Sequence, residues 1–198
     1  VALVDVRHPS KGTRMTRHRV GIIVGSNRRE SINRRLALAL AKLLGDRLDV
    51  LWIRIDDLPM YNGDLEGQRP AEVDRFTAEV ASVPALLFVT PEHNRSLPAV
   101  LKNAIDWGSK PVGHNVWIGK VAAITGTSPG AIGTAVGQQH MRQILGIVGV
   151  LVMGGEAYLS FKPEPVDHDG NFLVDSTRDF LGKYMDNFAK LVGKVARD

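Results

Sequence analysis

Three short segments gather most of the reactive and ligand-binding side chains of this chain. The first, Gly25-Ser26-Asn27-Arg28-Arg29-Glu30-Ser31-Ile32-Asn33, combines hydroxyls, carboxamides and guanidinium groups. At the start of a helix, where backbone N–H groups lack acceptors, such a set suits an anion and above all a phosphate. The plainer role of the same residues is a helix cap at Ser31 and a solvated charge at Arg28. The second, Pro91-Glu92-His93-Asn94-Arg95-Ser96, is a polar loop directly after a very apolar run, a place for a ligand or a partner. The third, from Thr125 to Gly133, carries Gly126, Gly130 and Gly133 among small hydroxyl residues, so a flat ligand can approach its backbone closely.

Several familiar chemistries do not fit these segments. A P-loop needs G-x-x-x-x-G-K-[ST] and a dinucleotide turn needs G-x-G-x-x-G, but Gly25 is followed by no glycine until Gly45. A monophosphate held by side chains and helix amides fits better. The stretch Gly126-Thr127-Ser128-Pro129-Gly130 matches the G-x-S-x-G nucleophile elbow, and Glu156, Asp167 and His168 follow in the right chain order for a hydrolase triad. Pro129 argues against it. The oxyanion hole uses the N–H of the residue after the nucleophile, and proline has none, which removes a donor worth about 3 kcal/mol. The 6 histidines show no metal-ligand spacing, and Glu92 and His93 are adjacent, so no metal site is expected.

These segments need elements to hold them. Residues 19–25 read as a buried strand, and Leu36, Leu40, Leu43 and Leu44 mark a helix from Ser31 to Gly45. The pattern repeats as a strand over 48–55, a Pro/Gly/Asn-rich loop to Arg69 long enough to suggest a function, a helix over 70–81 and a strand over 85–90. Ser96 then precedes an apolar stripe of Leu97, Val100, Leu101, Ala104 and Ile105. Further strands are expected over 116–125 and 150–153, a helix over 133–148, an excursion over 161–171, and a last helix over 176–195 with Phe180, Tyr184, Phe188 and Leu191 on one face. Five short apolar strands alternating with helices predict an α/β fold, a doubly wound five-stranded parallel sheet with helices on both faces. Ligands of such sheets sit beyond the carboxyl ends of the strands, where all three segments fall.

Composition narrows the function further. The chain has 198 residues, about 1.3 times the ~150 typical of a domain, so a single domain over 18–198 is expected, with 1–17 an extension of unclear role upstream of or around Met15. There are 0 cysteines, which excludes disulfides, iron–sulfur ligation and thiol redox chemistry, so redox work would require a bound cofactor. Lys+Arg 25 against Asp+Glu 21 gives +4, which favours anionic small molecules but falls short of a nucleic-acid surface. The apolar run Ile144–Met153 is too short to cross a bilayer, and no secretory signal is evident, so a cytoplasmic protein without a membrane partner is expected.

Taken together, G-S-N-R-R-E-S-I-N-R at 25–34, P-E-H-N-R-S-L-P-A-V-L-K-N-A-I-D-W at 91–107 and T-G-T-S-P-G-A-I-G-T at 125–134 resemble the NADPH-dependent FMN reductase family. Its members include quinone reductases, chromate reductases and azoreductases. The resemblance runs from residue 19 to about 193 and implies a flavodoxin-like fold with non-covalently bound FMN. It further implies NADPH or NADH as co-substrate and ping-pong hydride transfer to small-molecule electron acceptors: quinones, with chromate, ferric or azo compounds beside them. By the same resemblance Ser26, Arg28, Ser31, Ile32 and Asn33 hold the FMN phosphate. Pro91, Glu92, His93 and Asn94 line the isoalloxazine ring, and Ser128, Pro129 and Gly130 approach it from the third loop. No protein group need act as catalyst, since the flavin carries the chemistry.

Two positions depart from the family pattern. His93 stands where tyrosine is usual, and Arg95 where an aromatic is frequent. The Arg95 guanidinium can bind an NADPH phosphate or an anionic substrate, or serve as a loop charge or an intersubunit ion pair. The resemblance also implies a homodimer or homotetramer, and Leu97, Val100, Ile105 and Trp107 are apolar material for its face. Two other uses of the scaffold stay open on the residues alone. One is a flavodoxin-type electron-carrier module that does not oxidise nicotinamides itself, although such carriers are acidic and this chain is basic. The other is a ligand-binding domain without catalysis.

Overall fold

The computed structural model describes residues 17–196; all but Arg17 of the expected extension lies outside them. Its frame is a parallel sheet of β1 (Arg19–Val24), β2 (Asp49–Ile53), β3 (Ala85–Val89), β4 (Val121–Ser128) and β5 (Leu151–Val152). The strands lie side by side as β2-β1-β3-β4-β5, the order of flavodoxin-like sheets. Helices α1 (Ile32–Leu44), α2 (Ala71–Ala81), α3 (Ala99–Gly108), α4 (Ala135–Ile147) and α5 (Asp175–Val195) cover it.

Alternation along the strands divides the core in two. The registered row Ile22, Leu87 and Ala123 faces α1 and α5, and the next row, Ile23, Phe88 and Ile124, faces α2, α3 and α4. Leu36, Leu40 and Leu44 of α1 and Leu181, Tyr184, Phe188 and Val192 of α5 fill the first side. Burial of each such large side chain contributes ~1.5–3 kcal/mol, so the sheet ends are held rigidly beneath the three loops.

The expected α5 face was partly wrong. Phe180 is exposed and Leu191 only half-buried, and the buried stripe is Leu181, Tyr184, Met185, Phe188 and Val192. The fourth strand also starts later than its apolar pattern suggests. Val116–Gly119 form a turn, because Trp117 is buried there, donating from Nε1 to the Ile105 carbonyl at 2.9 Å. β4 therefore runs on to Ser128, and the third loop begins after it. Ser96 does not begin a helix: α3 starts behind Pro98, which leaves Ser96 and Leu97 in the loop. Ile105 and Trp107 are fully inside the protein and provide no subunit face.

A short strand absent from the sequence reading, β6 (Tyr158–Ser160), pairs with the end of β4 from Gly126 to Ser128. With β5 it forms one edge broken at 153–157, and Thr125 and Thr127 hydroxyls bridge to it by donating to the Ala157 and Leu159 carbonyls, both at 2.9 Å. The excursion then folds back on α1, closed by a Val166–Phe172 bridge. Gly170 lies so close to α1 that a Cβ there would sit 2.7 Å from the Leu38 Cβ, and its φ of +75° excludes most other residues. Arg35–Glu164 and Lys42–Asn171 contacts tie the same strap to the helix.

Asp167 shapes this strap by accepting from the amides of Asn171 and Asp169 at 2.8 and 2.9 Å. Those bonds, Asn171 first, hold its carboxyl below the ordinary carboxylate value. Its contribution is therefore fully present above the unfolded pKa and is lost as pH falls through the lower folded one. Asp167→Ala should loosen the strap at neutral pH without unfolding the sheet, read as faster amide exchange at Asn171 with exchange in β1 and β3 unchanged. Equal exchange at Asn171 in both proteins would refute the role.

Candidate functional site

β1, β3 and β4 end in one tight row. The Gly25 amide donates to the Val89 carbonyl at 2.9 Å, and that of Thr90 to the Thr125 carbonyl at 3.0 Å. Side chains are excluded between them. A Cβ at Gly25 would lie 2.5 Å from the Thr90 Oγ1, and one at Gly126 would lie 1.8 Å from the Thr90 carbonyl oxygen. From this row the three segments singled out by sequence leave the sheet at the same end.

In the first loop Ser31 caps α1, accepting from the Arg34 amide at 3.3 Å, and Ser26 Oγ accepts from the Arg28 amide at 3.4 Å. The amides of Ile32 and Asn33 lie in the first helical turn, where no intrahelical acceptor exists. Arg28 and Arg29 are exposed, and their guanidinium groups have no carboxylate partner among the described residues. The four arginines close in sequence are not one patch: Arg35 pairs with Glu164, and Arg34 lies over the α1–β2 side, where it helps to hold the Asp56 carboxyl below its ordinary value behind the larger effect of Arg54.

Asn33 faces inward. Its Nδ2 donates to the Thr127 carbonyl and its Oδ1 accepts from the Thr127 amide, both at 2.9 Å, in a buried position. The side chain expected at a phosphate thus staples the first loop to β4, and only its backbone amide is left for a ligand.

The second loop is a tight turn. His93 and Ser96 exchange backbone bonds at 2.9 Å, with Asn94 and Arg95 between them at φ of +50° and +65°. Two successive left-handed residues are the pattern of a type I′ turn; asparagine tolerates it, whereas at Arg95 it costs roughly 1–2 kcal/mol. Glu92 is turned aside, its Oε2 accepting from the Gly137 amide at the start of α4 at 3.0 Å, where the helix dipole favours a carboxylate. His140 on α4 bonds Ser96 at 3.1 Å. Pro91 is half-buried, and His93 and Asn94 are exposed.

In the third loop Ser128 donates to the Gly133 carbonyl at 2.5 Å, which closes the turn, and Pro129 and Gly130 are exposed. No hydrolase triad forms: Asp167 is bound within the strap, and His168 faces Glu30 at 3.8 Å.

The staples therefore bring the three segments into one cluster, the first joined to the third by Asn33–Thr127 and the second to α4 by Glu92–Gly137. Beside them, the long 57–69 loop is anchored on α3. Asn103 accepts from the Tyr61 amide at 2.7 Å and donates to the Pro59 carbonyl at 2.9 Å, which Trp107 Nε1 also reaches at 2.8 Å. Asn103 and Gly137 were not singled out by sequence. Their roles depend on backbone atoms far along the chain, which no local pattern displays.

The cluster fits FMN. It offers unpaired first-turn amides and a free guanidinium for a phosphate, and around Gly130 a Cβ would meet nothing closer than the Ser128 Oγ at 3.8 Å, which leaves the backbone open to a flat ring. Among the described residues no helix is long and apolar enough to cross a membrane.

Comparison with known proteins bears on the family and the fold. A family model described as NADPH-dependent FMN reductase matches residues 18–164. A 2-hydroxy-1,4-benzoquinone reductase of Burkholderia sp is 41% identical over 175 residues, 88% of this chain and 96% of that one. A quinone reductase of Pseudomonas putida is 45% identical over 175 residues, covering 87% and 94%. Among solved structures, the flavoenzyme FerB, an NAD(P)H:(acceptor) oxidoreductase from Paracoccus denitrificans, superposes with a TM-score of 0.86 at 40% identity, over 90% of this chain and 98% of that one.

Proposed function

The chain belongs to the NADPH-dependent FMN reductase family and is a flavodoxin-like, FMN-dependent NAD(P)H oxidoreductase; from that premise we propose that quinones are its acceptors and that the three clustered loops hold its cofactor. The observation that carries the site assignment is the junction of unpaired α1 amides and a free Arg28 with the glycine-lined ends of β1 and β4. Bound FMN would supply the chemistry there, hydride transfer between NAD(P)H and the acceptor.

The chain's own part is binding and orientation. The amides of Ile32 and Asn33, the hydroxyls of Ser26 and Ser31 and the Arg28 guanidinium would hold the phosphate. Pro91, His93 and Asn94, with Ser128, Pro129 and Gly130, would border the ring, and Glu92 would fix that border from behind through Gly137. Arg95, exposed on its turn and donating to Glu92 Oε1 at 3.4 Å, would meet an anionic group of either substrate. Chromate, ferric and azo acceptors are secondary candidates on the same open face.

We further assign residues 18–198 to one FMN-binding domain and the protein to the cytoplasm, where reduced nicotinamides are available. A homodimer or homotetramer is the expected assembly, with half-buried Leu97 and Val100 the apolar material left for its face. The carrier alternative has no support in the names of the relatives, which are reductases.

The test is the visible spectrum of the purified protein with FMN, followed anaerobically by NADPH and then a quinone. Bound flavin that bleaches and then recovers is expected; absence of flavin binding would overturn the reading, and bleaching without recovery on quinone would overturn the acceptor. Arg28→Ala should weaken FMN binding by ~1.5–3 kcal/mol, as for the loss of a hydrogen bond to a charged group. An unchanged dissociation constant would remove Arg28 from the site.

A further inference from the structure

On the outer side of α1, away from the α3 and α4 loops, a cleft of about 260 Å³ opens between that helix and the edge strand β2. Its walls are Ile22, Val24, Leu38 and Ile55, and one side is Trp52. Trp52 is 42% exposed, whereas Trp107 and Trp117 are fully buried with their Nε1 atoms bonded to carbonyls. An indole left half-bare on an edge strand costs hydrophobic burial, and here it faces an apolar hollow rather than bulk solvent alone.

The rim is charged. Arg34 and Arg54 stand over the cleft with Asp56, and Ser26 closes its upper end. Arg54 pairs with Asp56 at 3.1 Å, and Asp57 is held by Arg75 at 2.8 Å and by Arg54 at 3.5 Å; Arg34 acts on the Asp56 carboxyl through space but has no hydrogen-bonded carboxylate among the described residues. An apolar floor with an aromatic wall and one surplus cation is complementary to a flat apolar body bearing one negative charge. Nothing in the proposed redox reaction uses these residues except Ser26, whose hydroxyl the cleft shares with the phosphate loop.

We infer that this cleft is a second ligand site, which takes a small aromatic monoanion such as an aryl carboxylate, with the ring against Trp52 and the carboxylate at Arg34. Its volume of about 260 Å³, just below the ~300–1,000 Å³ of ordinary ligand pockets, admits a fused bicyclic ring rather than a dinucleotide. The inference does not depend on the acceptor assigned above.

The experiment uses the full chain labelled with 5-fluorotryptophan and saturated with FMN, cofactor occupancy being read independently from its absorption, and titrates in 2-naphthoate. With 3 tryptophans the ¹⁹F spectrum is simple, and Trp52→Phe assigns the resonance. The expected result is a saturable shift of the Trp52 signal with those of Trp107 and Trp117 unmoved, weakened about tenfold in Arg34→Met. Three results would overturn the site: no shift of Trp52, a shift of equal affinity in Arg34→Met, or a shift present without FMN and abolished by it, which would put the probe in the cofactor site. If the absorption shows no bound FMN, the same titration of the unliganded protein still decides, because a Trp52 shift that needs Arg34 identifies the cleft.

Discussion

Gly126→Ala is expected to lose cofactor binding and about 3 kcal/mol of stability together. The new Cβ would lie 1.8 Å from the Thr90 carbonyl oxygen, and that oxygen is backbone directly after the central strand β3, so no side chain can swing away to make room. The β3 and β4 ends must separate, carrying apart the second and third loops. A loss of that size corresponds to a fall in Tm of roughly 6–12 °C for a chain this long. Thermal melting with and without FMN, and an FMN titration of the folded variant, measure both effects; a variant that melts and binds like the parent would show that the row is not tightly set. Gly130→Ala is the control for stability alone, since a Cβ there meets nothing closer than 3.8 Å.

Asn33→Ala should cost nearly as much stability by a different route. It leaves the Thr127 amide and carbonyl buried without partners, at ~1–3 kcal/mol for each group. Asn33→Asp separates the structural role from the electrostatic one. The carboxylate still accepts from the Thr127 amide, but it faces the Thr127 carbonyl and puts a negative charge beneath the helix start assigned to the phosphate. FMN affinity should then fall further, relative to stability, than in Asn33→Ala. Equal ratios in the two variants would mean that no anion binds near Asn33.

The elements were largely legible because apolar periodicity in a sheet covered on both faces is strong. The run Ala85-Leu86-Leu87-Phe88-Val89 is buried throughout and can be little else than a central strand. The misreadings came where tertiary contacts override local pattern. Val116 and Trp117 look like strand residues but are a turn, because an indole needed a place against Gly108. Tyr158–Ser160 is too short to show a period and is a strand only because β4 offers it an open edge. At the site, residue types were readable and directions were not. Asn33 and Glu92 are polar side chains in ligand-facing loops, yet both turn to backbone amides that are 94 and 45 residues away in sequence.

The placement of α5 bears on how the protein is made. It is the last of the described elements in chain order, yet it completes, beside α1, the cover of the sheet face formed by Val20, Ile22, Leu87 and Ala123, most of which is synthesised in the first half of the chain. During translation α1 alone covers that face until Phe188 and Val192 have cleared the ribosome, so the part over β4 and the flank of α1 stays open for most of the synthesis. Pausing late in translation, or a stop codon within α5, should therefore harm yield far more than the small number of missing residues suggests, through capture by chaperones or aggregation of a chain whose cofactor loops are already complete.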